Sequence, residues 1–263
     1  MPEGHTIHRA ARIQMRDMGG RALAVSSPQG WASDAAAEVD GRVLERIDAY
    51  GKHLLYRFDG SLPLHVHLGL FGRFRRWKEP APPPRDTTRL RFEGGDRVLD
   101  LSGATASELM SEDAEAALLH RLGPDPLRRD ADPDRARAAL ARRRIVVGAA
   151  LLDQKVIAGI GNVYRAEILF ACGIDPMRES RSITDSEFDC IWSETVGMLK
   201  RGERSGRIVT VPPEEAGGKP PSRLTGRDRM QVYRREHCRR CGGPVSTATV
   251  AGRTLFWCPH DQG

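Results

Sequence analysis

Two residues at the start of the chain, Pro2 and Glu3, are of the types that covalent chemistry on a sugar needs. With Met1 removed, Pro2 becomes a terminal secondary amine. An α-amino group titrates near ~8, so a sizeable fraction is neutral and nucleophilic at neutral pH. A secondary amine that attacks a sugar C1′ gives an iminium ion, an electron sink of the Schiff-base kind. Glu3 stands beside it as a carboxyl able to move protons. Proline at position 2 is common, so the pair gains weight only from the rest of the chain.

A second group could hold a metal. Cys238-x2-Cys241 is followed by sixteen residues and then Cys258-Pro259-His260-Asp261. A four-cysteine zinc ribbon has the form C-x2-C-x(15–20)-C-x2-C. Three ligands match, and Asp261 takes the fourth position. Zinc accepts carboxylate oxygen, so three thiolates and one carboxylate are chemically sound. His260 is a more usual ligand type but lies one residue short of the spacing. The order of preference is Asp261, then His260, then a metal-free hairpin. The other two cysteines, Cys172 and Cys190, read as separate small buried hydrophobes.

Three further sites are suited to a polyanion. Ala251-Gly252-Arg253-Thr254 reads as the tip of a hairpin, presenting Arg253 either to a phosphate or to solvent. Lys52, in Tyr50-Gly51-Lys52-His53, lies on another hairpin, where a plain surface lysine is the alternative. In Ala158-Gly159-Ile160-Gly161-Asn162, two glycines precede a helix. Its free N–H groups suit an anion, and Asn162 can cap it or reach a phosphate oxygen. Simple packing explains that segment equally well. His67-Leu68-Gly69-Leu70-Phe71-Gly72 is a turn. Leu70 and Phe71 there are either core residues or apolar wedges for a base stack.

The elements that must position these groups fall into two styles. Thr6 can cap a helix from about Ile7 to Met18. From Arg21 to Leu101, segments such as Arg42–Arg46, His53–Phe58, Leu64–Leu68 and Arg89–Phe92 are separated by Gly, Pro or Asp. They predict short strands in a sandwich or barrel, with Pro80 to Pro84 in an exposed loop. Gly123-Pro124-Asp125-Pro126 through Asp132-Pro133 reads as an interdomain linker. Helical patterns follow over Asp134–Ala141, Val146–Asp153, Val163–Cys172 and Thr184–Arg201. The last ~25 residues read as a Cys-containing hairpin. Hydrophobic content of 40% is that of a globular chain. The net charge is +6, and residues 201–241 hold eleven Arg or Lys against five Asp or Glu. Phosphate binding is the simplest use of such a stretch. No apolar run approaches a membrane span and no signal peptide is evident, so a cytoplasmic location is expected.

Taken in order along the chain, these pieces resemble the formamidopyrimidine-DNA glycosylase / endonuclease VIII (Fpg/Nei) family. They are Pro2-Glu3-Gly4, Gly51-Lys52, His67-Leu68-Gly69-Leu70, Arg121-Leu122-Gly123-Pro124-Asp125, Leu152-Asp153-Gln154, Ala158-Gly159-Ile160-Gly161-Asn162 and the cysteine hairpin with Arg253. Pro2-Glu3-Gly4 is more similar to the endonuclease VIII branch. The resemblance implies an α+β, two-domain protein: an N-terminal β-sandwich with an N-terminal helix, then a helix–two-turn–helix domain with a zinc-ribbon hairpin. It implies a segmentation into 1–122, 123–232 and 233–263. It implies Pro2 as the Schiff-base nucleophile, Glu3 as proton donor, Lys52 in β-elimination and Arg253 in δ-elimination. Arg121 and Asn162 match phosphate contacts, and Leu70 and Phe71 the void-filling wedge. One structural Zn²⁺ is implied, more easily chelated than in a four-cysteine finger.

The expected activity is that of a bifunctional DNA glycosylase and abasic-site lyase of base excision repair. Its expected partner is double-stranded DNA with oxidised bases, pyrimidines by branch, or abasic sites. A nucleoid-associated monomer is expected. A mainly abasic-site lyase and a non-catalytic damaged-DNA-binding protein are the alternatives. The chain departs from the family pattern in three places. His5-Thr6 stands where many members have a second Glu, Asp261 where they have a fourth cysteine, and Gly69 where endonuclease VIII relatives can carry Gln.

Overall fold

The computed structural model describes residues 2–220 and 223–263. The expected removal of Met1, and the part of the 207–229 loop at Pro221 and Ser222, lie outside the described residues. The chain divides into two compact units, residues 1–120 and 121–263.

Period-two alternation builds the first unit. In β3 (His53–Phe58), Leu54, Tyr56 and Phe58 join the core, while His53, Leu55 and Arg57 lie on the opposite face. β3 pairs antiparallel with β2 (Leu44–Tyr50) and β4 (Leu64–His67), and β8 (Ala106–Leu109) completes the sheet in the order β2-β3-β4-β8. A second four-stranded sheet runs β1-β6-β7-β5, from β1 (Ala24–Ser26), β5 (Arg73–Lys78), β6 (Thr88–Gly94) and β7 (Arg97–Ser102). Leu90, Phe92, Leu99 and Leu101 of the second sheet share one core with Leu54, Leu64 and Val66 of the first, which makes a sandwich. Tyr56 stacks on Phe92 across that core at 5.5 Å.

α1 (Gly4–Met18) enters the same core through Ile7, Ala11 and Met18. The Tyr56 hydroxyl donates to Gln14 Oε1 at 2.5 Å, tying the helix to β3. α1 begins three residues before the expected start at Ile7, because Glu3 takes the N-cap position and its carbonyl accepts from Thr6 N at 2.8 Å. Thr6 is therefore inside the helix rather than its cap. A short helix, α2 (Ser33–Val39), interrupts the strand region and buries Ala35, Ala36 and Val39.

α3 (Glu112–Arg121) leads into the helical unit, which holds α4 (Pro133–Ala141), α5 (Val147–Ala150), α6 (Asn162–Ala171) and α7 (Asp185–Ser205). Asp132 caps α4, its carboxylate accepting from Asp134 N and Arg135 N, with Pro133 as first helical residue. Thr184 and Glu187 form a capping box for α7, and Gly206 ends it at φ 73°. Residues 123–133 are not a linker between the units. Gly123 N donates to Gln154 O at 2.8 Å, Pro124 O accepts from Ala158 N at 3.0 Å, and Asp125 is 1% exposed.

The helix expected over Val146–Asp153 shrinks to four residues. Beyond it the Gln154 amide supports a turn, bonding Leu152 O, Ile160 O and Gly159 N. Cys172 and Cys190 are joined in a disulfide between the end of α6 and α7, not separate hydrophobes. Packing of α6 against α7 brings together thiols eighteen residues apart. The chain closes with an antiparallel hairpin, β9 (Ser246–Val250) and β10 (Arg253–Trp257).

Candidate active site and metal cluster

Within the first unit Pro2 and Glu3 stand at the start of α1. Glu3 is fully buried at the helix N-terminus, where the backbone dipole favours negative charge. Half-buried Pro2 lines a cavity of about 490 Å³. Thr6 and Arg9 of α1 line it too, and across from them stand Leu70, Phe71 and Arg73. Leu70 is 45% exposed and Phe71 84%, so the structure places both on the surface rather than in the core. Their loop is held firmly. Gly72 N donates to Leu68 O at 2.9 Å, and Gly69 has φ 63° with the Thr105 side chain packed where a Cβ would stand.

Behind Pro2, His5 is 4% exposed and its Nε2 lies 3.1 Å from Thr6 Oγ1. Burial, then the positive chain terminus and Arg9, push its imidazole down to about 4. Lys52 sits in the β2–β3 turn after Gly51, whose φ is 56°, as the hairpin reading requires.

The sequence reading missed what lies next to it. His53, His65 and His67 share one face of the sheet. The rings of His53 and His67 are 4.7 Å apart, and His53 Nδ1 is 2.9 Å from His65 Nε2. Glu108 on β8 stands 3.6 Å from His65 Nδ1. Burial pulls the His65 imidazole down against the opposing carboxylate of Glu108. Burial also lowers His67, reinforced by His65 and Lys52. The period-two spelling His65-Val66-His67 is the signal that could have revealed this row.

In the second unit, α6 is buried all round from Asn162 to Phe170. Gly161, in extended conformation, takes the N-cap place, and the Asn162 side chain makes no cap. Its amide instead donates to Thr254 O at 2.9 Å, next to Arg253, and its Oδ1 accepts from Arg165. Arg165, fully buried, also reaches Gly148 O at 3.1 Å and Val250 O at 3.2 Å. Arg253 opens β10 behind a tip formed by Ala251 (φ 52°) and Gly252 (φ 69°). Arg121 ends α3 and is exposed.

Glu167, also fully buried, accepts from the backbone N–H groups of Gln231, Val232 and Tyr233 at 2.7, 2.9 and 2.7 Å, and from the Thr210 hydroxyl. Burial raises its carboxyl, and the four donors pull it back only in part. Arg165 and Glu167 had no signal in sequence, where a charge on a helix reads as surface.

Cys238, Cys241, Cys258 and Asp261 each offer a ligand atom, all within 4.8 Å of one another. Cys238 Sγ lies 3.0 Å from Asp261 Oδ2, and Cys241 Sγ 3.4 Å from Cys258 Sγ. Three thiolates and one carboxylate are a donor set that suits one structural zinc in tetrahedral geometry. The His260 side chain is 79% exposed and stands outside the four, its Nδ1 3.5 Å from Asp261 Oδ1. Gln262 braces the far side: its Oε1 accepts from Cys258 N and its Nε2 donates to Ile174 O, both at 2.9 Å. Among the described residues no helix is long and apolar enough to cross a membrane.

Three family models match in chain order. The formamidopyrimidine-DNA glycosylase N-terminal domain covers residues 1–104, the H2TH domain of the same glycosylase 122–211, and a zinc finger found in FPG and IleRS 235–262. The chain is 47% identical to endonuclease 8 1 of Mycobacterium tuberculosis, over the full length of both. It is 34% identical to a formamidopyrimidine-DNA glycosylase of Thermus thermophilus, over 100% of this chain and 98% of that one. In fold it matches the Lactococcus lactis Fpg solved with DNA containing an abasic site, with TM-score 0.81, 23% identity and 99% of each chain covered.

Proposed function

From the premise that the chain belongs to the formamidopyrimidine-DNA glycosylase / endonuclease VIII family, we propose that it excises oxidised bases, chiefly pyrimidines, through Pro2 and then cuts the strand. Family members are DNA glycosylases of base excision repair with abasic-site lyase activity. The observation that carries the reading is the placement of Pro2 on an open cavity directly beside a fully buried Glu3.

The Pro2 nitrogen bonds to C1′, and the glycosidic bond breaks with its electron pair going to the base. Glu3 delivers a proton to the ring oxygen as C1′–O4′ opens, leaving an iminium between C1′ and Pro2. That cation acidifies the C2′ proton, so the 3′ phosphate leaves by β-elimination, with Lys52 assisting. Arg253 assists loss of the 5′ phosphate by δ-elimination. Arg121, Asn162 and Arg253 hold phosphates, and Leu70 and Phe71 enter the gap left by the extruded nucleotide. Zinc, when bound by Cys238, Cys241, Cys258 and Asp261, supplies a structural clamp for the hairpin that carries Arg253. The chain works in three segments, 1–122, 123–232 and 233–263, as a monomer in the cytoplasm on the nucleoid.

Borohydride trapping on abasic-site DNA tests the reading. Wild type gives a covalent adduct; Pro2→Gly, or a chain that keeps Met1, gives little. Undiminished adduct with Met1 verified intact by mass spectrometry overturns it. A panel of oxidised-base duplexes reads the lesion preference.

A further inference from the structure

We propose that the Cys172–Cys190 disulfide is a redox switch on metal retention. Closed, it steadies the seat of the cysteine–aspartate cluster; opened by a small thiol, it lets zinc go more readily. The proposal rests on that cluster holding zinc.

A short run of contacts joins the two features. Cys172 follows α6 and Cys190 lies within α7, with Cα atoms 5.8 Å apart. Gly173 comes next, and the Asp261 carbonyl oxygen lies 3.6 Å from where a Cβ on that glycine would stand. Then comes Ile174, whose carbonyl accepts from Gln262 Nε2 at 2.9 Å. Gln262 turns back to the cluster: its Oε1 accepts from Cys258 N at 2.9 Å, and its own backbone N–H donates to Cys258 O at 3.0 Å. Cys258 and Asp261, two of the four ligands, therefore rest on the two residues directly after Cys172. Across the disulfide, Phe188 and Ile191 on either side of Cys190 are buried in the core of the second unit. The bond fastens the seat of the cluster to a helix that core packing holds in place.

Without that bond, a local opening can lift residues 172–174 away from α7 and free the seat. A crosslink between residues 18 apart removes most of those open arrangements. Zinc here is sensitive to such openings, because one ligand is a carboxylate, which holds a borderline-soft ion less firmly than a thiolate. In a cytoplasm, the location proposed above, disulfides are usually transient or redox-sensing. Cys172 and Cys190 are both half-buried, within reach of a small thiol. The thiolate of a low-molecular-weight thiol attacks one sulfur and displaces the other, which takes up a proton. A second such thiol resolves the mixed disulfide, so Cys172 and Cys190 end as thiols and the two small thiols as one small disulfide. The reverse exchange re-forms the bond when small disulfides accumulate.

The coupling is reciprocal, which gives two independent readings. In the first, zinc passes to a chromogenic chelator from the zinc-loaded full chain, with the disulfide intact or opened by a non-chelating phosphine. The reduced protein is expected to hold zinc about tenfold less tightly, within the usual range of coupling between sites, and Cys190→Ser to match it without reductant. In the second, differential alkylation of Cys172 and Cys190 in glutathione buffers reads the reduction potential. Tenfold tighter zinc in the closed form corresponds to a potential about 30 mV more negative with zinc than without. Equal zinc retention in oxidised and reduced wild type overturns the switch, whether or not Cys190→Ser folds. So does a potential that zinc leaves unchanged, and so do free thiols at Cys172 and Cys190 after equilibration with oxidised glutathione. Absence of zinc from protein with the disulfide intact overturns the metal assignment and the switch with it, and leaves the Pro2 reading standing.

Discussion

The two ends of this chain fix their candidate reactive residues by opposite means. Pro2 and Glu3 run straight into α1, and an apolar stripe of Ile7, Ala11 and Met18 holds that helix in the sandwich core. Polar contacts supplement that stripe, among them the Tyr56 hydroxyl to Gln14 and Arg76 of β5 to Asp17. Arg253 stands on a two-stranded hairpin, a structure only marginally stable alone. Directional contacts secure it: Asn162 to Thr254, Arg165 to Val250, Gln262 to Ile174, and the cysteine–aspartate cluster. A helix end can be aimed by burying one face. A loop tip cannot, and it needs bonds that specify direction. Each buried bond brings a liability, because losing one partner strands the other.

The largest expected effect follows from removing the metal. Structural zinc sites in finger peptides are worth ~10–16 kcal/mol, far more than a two-stranded hairpin can replace. Cys258→Ser should lower zinc content below one per chain and abolish strand cleavage while the first unit stays folded. Metal analysis with thermal melts checks it, and collapse of the first unit would break the contrast. Within the cluster, Asp261→Ala should lower zinc content and His260→Ala should not.

Glu167→Gln comes next. The amide can offer its carbonyl to some of the four donors but turns an N–H towards the rest, a mismatch of about 3 kcal/mol. Unfolding of the second unit in urea reads it. Tyr56→Phe tests the other end and should cost only about 1 kcal/mol, since it leaves one buried acceptor without a donor. A larger loss there than at Glu167 would reverse the comparison.

The smallest effect is at the α7 cap. Hydrogen bonds from Arg178 outweigh partial burial and, with Thr184, hold the Glu187 carboxyl down at about 2. A depressed carboxyl stabilises the fold above its unfolded value and loses that contribution as pH falls through the folded one. Arg178→Ala should therefore be less stable by about 0.5 kcal/mol at pH 7, as exposed pairs are. The gap should close as the pH approaches 2.

What could be read beforehand follows the same division. β3, the helices beginning near Asp134 and Thr184, the Lys52 turn and the cysteine spacing are local signals, and each appears in place. The disulfide was not legible, because it depends on how α6 meets α7. β5 hid behind its charges, since Arg-Phe-Arg-Arg-Trp-Lys lacks clean alternation. Asn162 has the right type for a cap, yet tertiary demand from Thr254 and Arg165 diverts its amide. Arg165 and Glu167 are ordinary surface letters in a helix, and only the folded neighbourhood makes Arg165 a hook for the hairpin and Glu167 one for the segment 231–233 before it.

The hairpin grips α6 at both ends, through Thr254 at its N-terminus and through Gln262 just past its C-terminus. Two elements fastened in this way should open together or not at all, as one cooperative unit. Amide hydrogen exchange should then give α6 and β9–β10 a common protection, and stripping the metal should release the amides of the buried helix at the same rate as those of the exposed strands.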